Sequence, residues 1–212
     1  MSPLESKHRQ AYWHWSVLTA ALACAGCLFH DAPPPRYFSP PSTLTARDES
    51  GADPATDRPI RVRRVRSSAY LTEQIVWRDS DVERGFYEQR RWTDFPSRYL
   101  ERAMAAALDD APGIRRVTAG GVATLDLELV SFDEVLAPTH VAEVTVLASL
   151  RSSDQHIIFE RNFSAQQPIA NADGAAAARA MGAALDEVVQ QIASQVAAQA
   201  PALPAKPAKR KS

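Results

Sequence analysis

Cysteine is nearly absent from the chain of 212 residues: there are two, Cys24 and Cys27. Everything after them lacks a thiol, which excludes a disulfide framework, a thiolate metal site and a cysteine nucleophile from the body of the protein. An excess of one charge is missing as well. Lys and Arg number 24 against 25 Asp and Glu, for a formal net charge of -1, so no global field is available to hold nucleic acid. Long hydrophobic runs are also lacking. The most apolar stretch, Ser16 to Phe29, is broken by His30 and Asp31, short of the about 20 residues that a membrane-spanning helix needs. No G-x-S-x-G elbow, Walker A loop, G-x-G-x-x-G turn or H-E-x-x-H pair occurs, so no catalytic residue and no cofactor is assigned.

What is present begins with an export signal. Lys7 and Arg9 stand against Glu5, the apolar stretch follows, and small residues precede the cysteines, which is the order of a secretory leader. Ala25-Gly26-Cys27 resembles a bacterial lipobox, in which the cysteine becomes the mature N-terminus and is acylated; the leader is then residues 1–26. Cys24 stands where that motif normally has Leu. Taking Cys24 as the acylated residue instead places Ala21 three before it and Leu22 two before it. The Ala-Gly pair and the fuller apolar region favour Cys27, and cleavage by an ordinary signal peptidase, leaving both thiols free or paired, is a third reading. Two or three acyl chains hold a protein stably in a leaflet without spanning it, so a membrane leaflet is the first partner implied. Leu28 after Cys27 favours the outer membrane, facing the periplasm, by the sorting rule of enteric bacteria.

Of the 15 prolines, most lie in two end segments. Residues 27–58 read as the acylated cysteine and a Pro-rich tether, too poor in large apolar groups to offset the entropy of ordering. Such a tether spans roughly 30 Å as a coil and up to about 90 Å if extended. Within it Arg36-Tyr37-Phe38 is the exception, an aromatic step suited to an edge strand. Residues 201–212, with Lys206, Lys209, Arg210 and Lys211, read as a disordered basic tail.

Between the ends, residues 59–200 alternate between periods of two and 3.6. Ile60 to Arg66 reads as a strand with a bulge at Arg63-Arg64, Tyr70 to Arg78 as a second strand and Val82 to Gln89 as a third. From Phe95 the apolar positions Tyr99, Leu100, Ala103, Met104, Ala107 and Leu108 form one helical stripe, with Thr93 or Asp94 as its cap, Pro96 in its first turn and Pro112-Gly113 as its stop. Ile114 to Thr118, the alternation Leu125, Leu127, Leu129, and a hairpin of Thr139 to Arg151 with Ile157 to Phe163 supply further strands. Asn171 to Ala200 closes the chain as an alanine-rich helix. The fold class is α+β: a mostly antiparallel mixed sheet with two helices packed on one face.

This order of features resembles the ABC-type transport auxiliary lipoprotein family: the lipobox, Tyr37-Phe38 in the tether, Tyr70-Leu71 with Ile75-Val76-Trp77-Arg78, Arg91-Trp92 opening a helix, Phe132-Asp133 ending a strand, and Phe159 to Pro168 before the Ala-rich helix. The resemblance covers about residues 36 to 198. It implies a non-catalytic outer-membrane lipoprotein accompanying an MCE-domain protein and, through it, an ABC permease and ATPase, in a system that moves phospholipid or other apolar molecules between membranes. A homo-oligomer is compatible with it. The alternative is a lipoprotein regulator of an envelope (cell-wall) synthase.

Four residues are candidates for contact with a partner or with phosphate. Arg61 and Arg63 share a strand face, and the slip at Arg64 brings Arg66 beside them; arginine forks match phosphate geometry, although charge on an edge strand also serves to prevent aggregation. Trp77 is suited equally to the core or to an interface, whereas Trp92 belongs to the core beside its helix. His140 and His156 with Asp154 are too few for a metal site of about four matched ligands. The pairs Asp109-Asp110 and Asp133-Glu134 read as solvated caps and turns at element ends.

Overall fold

The computed structural model describes residues 33–44 and 57–201, so the leader, Cys24, Cys27 and Leu28, the middle of the tether and nearly all of the basic tail lie outside the described residues. In chain order the elements are β1 (Arg36–Phe38), β2 (Arg58–Val62), β3 (Arg66–Ser67), β4 (Gln74–Arg78), β5 (Arg84–Trp92), α1 (Pro96–Asp110), β6 (Ile114–Arg116), β7 (Ala123–Val135), β8 (Val141–Arg151), β9 (Ile157–Pro168) and α2 (Gly174–Gln199). They make one mixed sheet with two helices, the α+β arrangement expected.

β7 is the spine. One side of it pairs antiparallel with β8 from Thr124 opposite Arg151 to Val135 opposite Val141, and β8 pairs antiparallel with β9. Along its other side β7 pairs in turn with β2, β3 and β4, all parallel and all short. The parallel partners precede α1 in sequence and β7 follows it, which is the long connection that parallel pairing requires. β4 and β5 form an antiparallel hairpin, and β1 and β6 add parallel strands to β5 and β2.

Two irregularities decide which side chains face which way. Val62 stands opposite Leu125 and Arg66 opposite Glu128, four steps against three, so one extra residue sits in the Arg63–Val65 bend where the slip was expected. A second bulge in β7 falls between Leu129 and Ser131. Leu125, Leu127 and Leu129 point to one face; past the bulge Phe132 continues that face, while Asp133 passes to the other.

The helices cover the leucine face. α2 packs on β8, β9 and α1, and α1 on β6 and β7. Leu125, Leu127, Leu129, Val144, Val146 and Leu150 are buried with Leu100, Met104 and Leu108 of α1 and Met181, Leu185, Val188 and Ile192 of α2. Trp92 is in this core, edge-on to Phe132 at 5.4 Å, with Tyr99 stacked on Phe132 at 6.5 Å. The start of α1 differs from expectation: Phe95 holds the cap position without a side-chain cap. Asp94 instead accepts the Phe95 N–H and the Arg102 guanidinium, both at 2.8 Å, and Thr93 meets the Tyr99 hydroxyl. The Arg102 bond, then the Phe95 N–H, hold the Asp94 carboxyl below its usual range.

The stretch read as tether is partly fold. Gly174, Gly182 and Asp186 lie at multiples of four along α2 and so share one side of it. A Cβ at Gly174 would come within 2.5 Å of the Phe38 ring, and one at Gly182 within 2.0 Å of the Pro41 carbonyl oxygen. Asp186 is buried and accepts from the Ser42 hydroxyl at 2.6 Å and from the Thr43 N–H and hydroxyl at 2.7 Å. Residues 36–44 therefore lie in a groove of small residues on α2, held by a buried carboxylate.

Candidate functional site

The face of the sheet opposite the helices carries a row of polar side chains along β7. β7 sends Thr124, Asp126 and Glu128 to it, and then, beyond the bulge, Ser131 and Asp133. Three arginines of the β2–β3 segment meet these positions in register. Arg61 Nη2 donates to Thr124 Oγ1 at 3.3 Å, Arg63 Nε lies 3.3 Å from Asp126 Oδ1, and Arg66 Nη2 lies 3.3 Å from Glu128 Oε2. Arg63 and Arg66 remain largely in solvent, with 60% and 70% of their side chains exposed. Arg151 from β8 reaches Asp126 at 3.7 Å and Glu160 at 3.9 Å.

The Arg63–Val65 bend and the strand surface beside it enclose a cleft of about 960 Å³, lined by Arg63, Arg64, Arg66 and Arg151 with Leu147 and Ser149 of β8. Arg61 stands next to it with its Nε buried and without a hydrogen-bond partner. Trp77 does not join this group. It lies on β4 against Gly85, where a Cβ would fall 2.1 Å from the indole, and opposite Glu134 near the other end of β7. The register of β4 is the reason: it pairs with β7 at Asp133 to Val135, not at Thr124 to Glu128.

That other end holds a second set of charges, and the sequence reading missed it. Asp133 is fully buried, with Arg84 Nε at 3.1 Å and Arg78 Nε at 3.9 Å. Arg78 Nη2 also donates to Glu143 Oε1 at 2.6 Å, and Gln166 Nε2 donates to Glu143 Oε2 at 2.6 Å. The Tyr70 hydroxyl lies 2.9 Å from the Val130 carbonyl and 3.4 Å from Asp133 Oδ1. Burial, and after it the Asp133 charge, push the Tyr70 phenol up to about 12. Glu134 is buried as well, with His140 Nε2 at 2.7 Å and Arg90 Nη1 at 3.7 Å. Tyr87 is pushed up to about 12 by burial and then by Glu134. Asp133 and Glu134 are thus enclosed ion-pair partners and not the solvated end of a strand. Asp109, in contrast, ends α1 and is held by both Arg116 Nε and Nη2 at 2.6 Å.

The histidines stand apart. His140 precedes β8, where Val141 opposes Pro168, and His156 sits at the turn into β9, beside Asp154 at 2.7 Å. The length of β8 separates them. Among the described residues no three His, Cys, Asp or Glu side chains are grouped to hold a metal ion, and no helix is long and apolar enough to cross a membrane.

The two ends of the open face therefore differ in how their charges are paired. Around Asp133 and Glu143 each carboxylate is met by arginine, amide or hydroxyl donors. In the cleft, Arg64 has no ion-pair partner among the described residues, and the Ser149 hydroxyl is buried without a hydrogen-bond partner. That end can accept an anion without dismantling the fold.

Comparison with known proteins agrees with this architecture. The fold is similar to the crystal structure of protein XCC0632 from Xanthomonas campestris, at 21% identity and a TM-score of 0.65, covering 77% of this chain and 95% of that one. It is also similar to that of the hypothetical protein CT253 from Chlamydia trachomatis, at 6% identity and a TM-score of 0.52, covering 68% and 97%. At such identities the likeness is one of fold. No curated protein matches the chain. The sequence from 42 to 193, which runs from the segment docked on α2 through most of α2 itself, matches the family described as the ABC-type transport auxiliary lipoprotein component, and the chain belongs to that family.

Proposed function

We propose that the protein is an outer-membrane lipoprotein, acylated on Cys27 and facing the periplasm, that serves as a non-catalytic docking component for an MCE-type assembly moving phospholipid or other apolar molecules between membranes. Family membership already makes it a lipoprotein component of an ABC-type transport system; that match is the observation which carries the reading. The MCE-domain protein is the direct partner, and the permease and ATPase are reached through it. The arginine row of Arg61, Arg63 and Arg66 with its cleft is the working surface, because its charges are not enclosed by the fold.

The docking of residues 36–44 on α2 shortens the leash. From Cys27 to Pro35 there are eight residues, about 28 Å at full extension, far less than a free tether ending at residue 58 would allow. The domain then works close to the leaflet that carries its acyl chains.

The test has two parts. Cys27→Ser should release the protein from the membrane fraction, and an N-terminal mass measurement distinguishes Cys27 from Cys24; unchanged fractionation of the Cys27→Ser variant removes the anchor assignment. Affinity capture from cells with the mature acylated protein should recover an MCE-domain protein. Recovery of a peptidoglycan synthase in its place would overturn the transport reading in favour of a cell-wall regulator.

A further inference from the structure

The cleft beneath the Arg63–Val65 bend is more than a charged surface. Four arginines line it, Arg63, Arg64, Arg66 and Arg151, against the carboxylates Asp126 and Glu160, so its own lining is cationic in a chain whose formal net charge is -1. The ion pairs that Arg63 and Arg151 make there are long, from 3.3 to 3.9 Å, and open to water. Solvent screens such pairs, and these arginines can turn toward another anion at little cost. Arg64, on the bend, has no ion-pair partner among the described residues.

Ser149 supplies an independent observation. Its side chain lines the cleft, the residue is only 6% exposed, and its hydroxyl has no hydrogen-bond partner. A buried hydroxyl without a partner is unfavourable in a native fold and calls for an explanation. A group bound in the cleft provides one.

The shape of the donor set selects the ligand. Arginines approach from the β2–β3 bend on one side and from β8 on the other. A planar carboxylate is satisfied by one guanidinium fork, whereas a phosphoryl group presents oxygens in several directions and takes several forks together. The volume, about 960 Å³, is at the upper end of the usual range for small-molecule sites and far exceeds a bare ion. Val65 and Leu147 add apolar wall beside the charges.

We propose that this cleft binds a phosphate ester, its phosphoryl oxygens held by Arg63, Arg64 and Arg151 and by the Ser149 hydroxyl. The proposal rests on the reading of the open face as the working surface and gives that surface a ligand chemistry. Two sources carry this chemistry, a phospholipid headgroup and a soluble phosphate ester.

Calorimetric titration of the full mature protein in non-ionic detergent tests it, with dihexanoyl phosphatidylglycerol, glycerol 3-phosphate, inorganic phosphate and glutarate as probes. At least one of the two esters should bind saturably and more tightly than inorganic phosphate or glutarate. Tighter binding of the short-chain lipid identifies the headgroup source, and equal or tighter binding of glycerol 3-phosphate the soluble one. Arg64→Gln, on an exposed bend, should leave the unfolding midpoint unchanged and weaken ester binding about tenfold, equivalent to about 1.4 kcal/mol. Ser149→Ala should weaken it severalfold. Absence of saturable ester binding, glutarate or phosphate binding as tightly, or affinities unchanged in both variants would each overturn the proposal. Capture of the MCE partner by the wild-type protein is scored separately, so failure of the docking reading and failure of the phosphate site are distinguishable.

Discussion

Asp126 and Asp133 stand on the same strand, face the same side of the sheet and both meet arginines, yet their surroundings are opposite. Asp133 is completely buried beneath Arg78 and Arg84 of the β4–β5 hairpin, with the Tyr70 hydroxyl beside it. Asp126 is 20% exposed, and its nearest cation, Arg63, is 60% exposed. The difference comes from what covers each end of β7. The hairpin brings long side chains over the last residues of the strand and closes them off, whereas the β2–β3 bend leaves an open cleft over the first. The same pair of residue types therefore acts as a structural clamp at one end and as an available charged surface at the other. Solvent exposure, more than residue identity, separates the two roles.

The sharpest way to break this comparison is to remove the enclosed carboxylate. Asp133→Ala leaves Arg84 without its 3.1 Å partner and leaves Arg78, only 15% exposed, with Glu143 at 2.6 Å and the fully exposed Asp81 at 3.7 Å. Breaking a buried pair by deleting one member is strongly destabilising, and a loss of about 3 kcal/mol in urea unfolding is expected. A loss under about 1 kcal/mol would mean that the hairpin relaxes freely and that this end is no clamp.

Alkaline titration tests the same end by another route. The Tyr70 and Tyr87 phenols are raised to about 12 by burial first and then by Asp133 and Glu134. A group raised in the folded state adds stability that is fully present below its unfolded value, about 10 for tyrosine, and is lost as pH rises through the folded value. Unfolding free energy should therefore fall between about pH 10 and 12. The double variant Tyr70→Phe, Tyr87→Phe should show a fall smaller by about 1 kcal/mol, a figure discounted because each ring is half-buried and screened by solvent. An equal fall in both proteins would show that the two hydroxyls are not coupled to folding.

Local pattern made much of this fold legible and distant pairing hid the rest. The alternation of Leu125, Leu127 and Leu129, and the three-and-four spacing from Tyr99 to Leu108, announce β7 and α1 because each period reports the face that neighbouring residues share. The arginine row was legible for the same reason: alternation puts Arg61 and Arg63 on one face, and a single extra residue restores Arg66 to it. Asp133 and Glu134 were misread because a bulge at Val130 changes the alternation and because their partners, Arg78, Arg84 and Arg90, come from a hairpin some fifty residues earlier. The docking of residues 36–44 was hidden likewise. Its signal, Gly174, Gly182 and Asp186 at four-residue multiples, lies on a helix more than 130 residues away. A buried Asp on the apolar side of an alanine-rich helix is the clue that could have been read, since such a carboxylate requires donors from elsewhere in the chain. Trp77 carried no positional information, and only the strand register separates it from the cleft.

The smallest expected effect is at the open end. Asp126→Ala removes a carboxylate whose partners are Arg63, mostly in water, and Arg151, 32% exposed. Both guanidinium groups can return to solvent, and Arg151 keeps Glu160, so the loss in urea unfolding should stay below about 0.5 kcal/mol. A loss above about 2 kcal/mol would place Asp126 with Asp133 and erase the distinction between the two ends. The substitution also makes the cleft more cationic and frees two arginines from their shared carboxylate. Phosphate-ester binding should therefore tighten severalfold in Asp126→Ala while stability barely moves, a combination that a purely structural row of ion pairs would not produce.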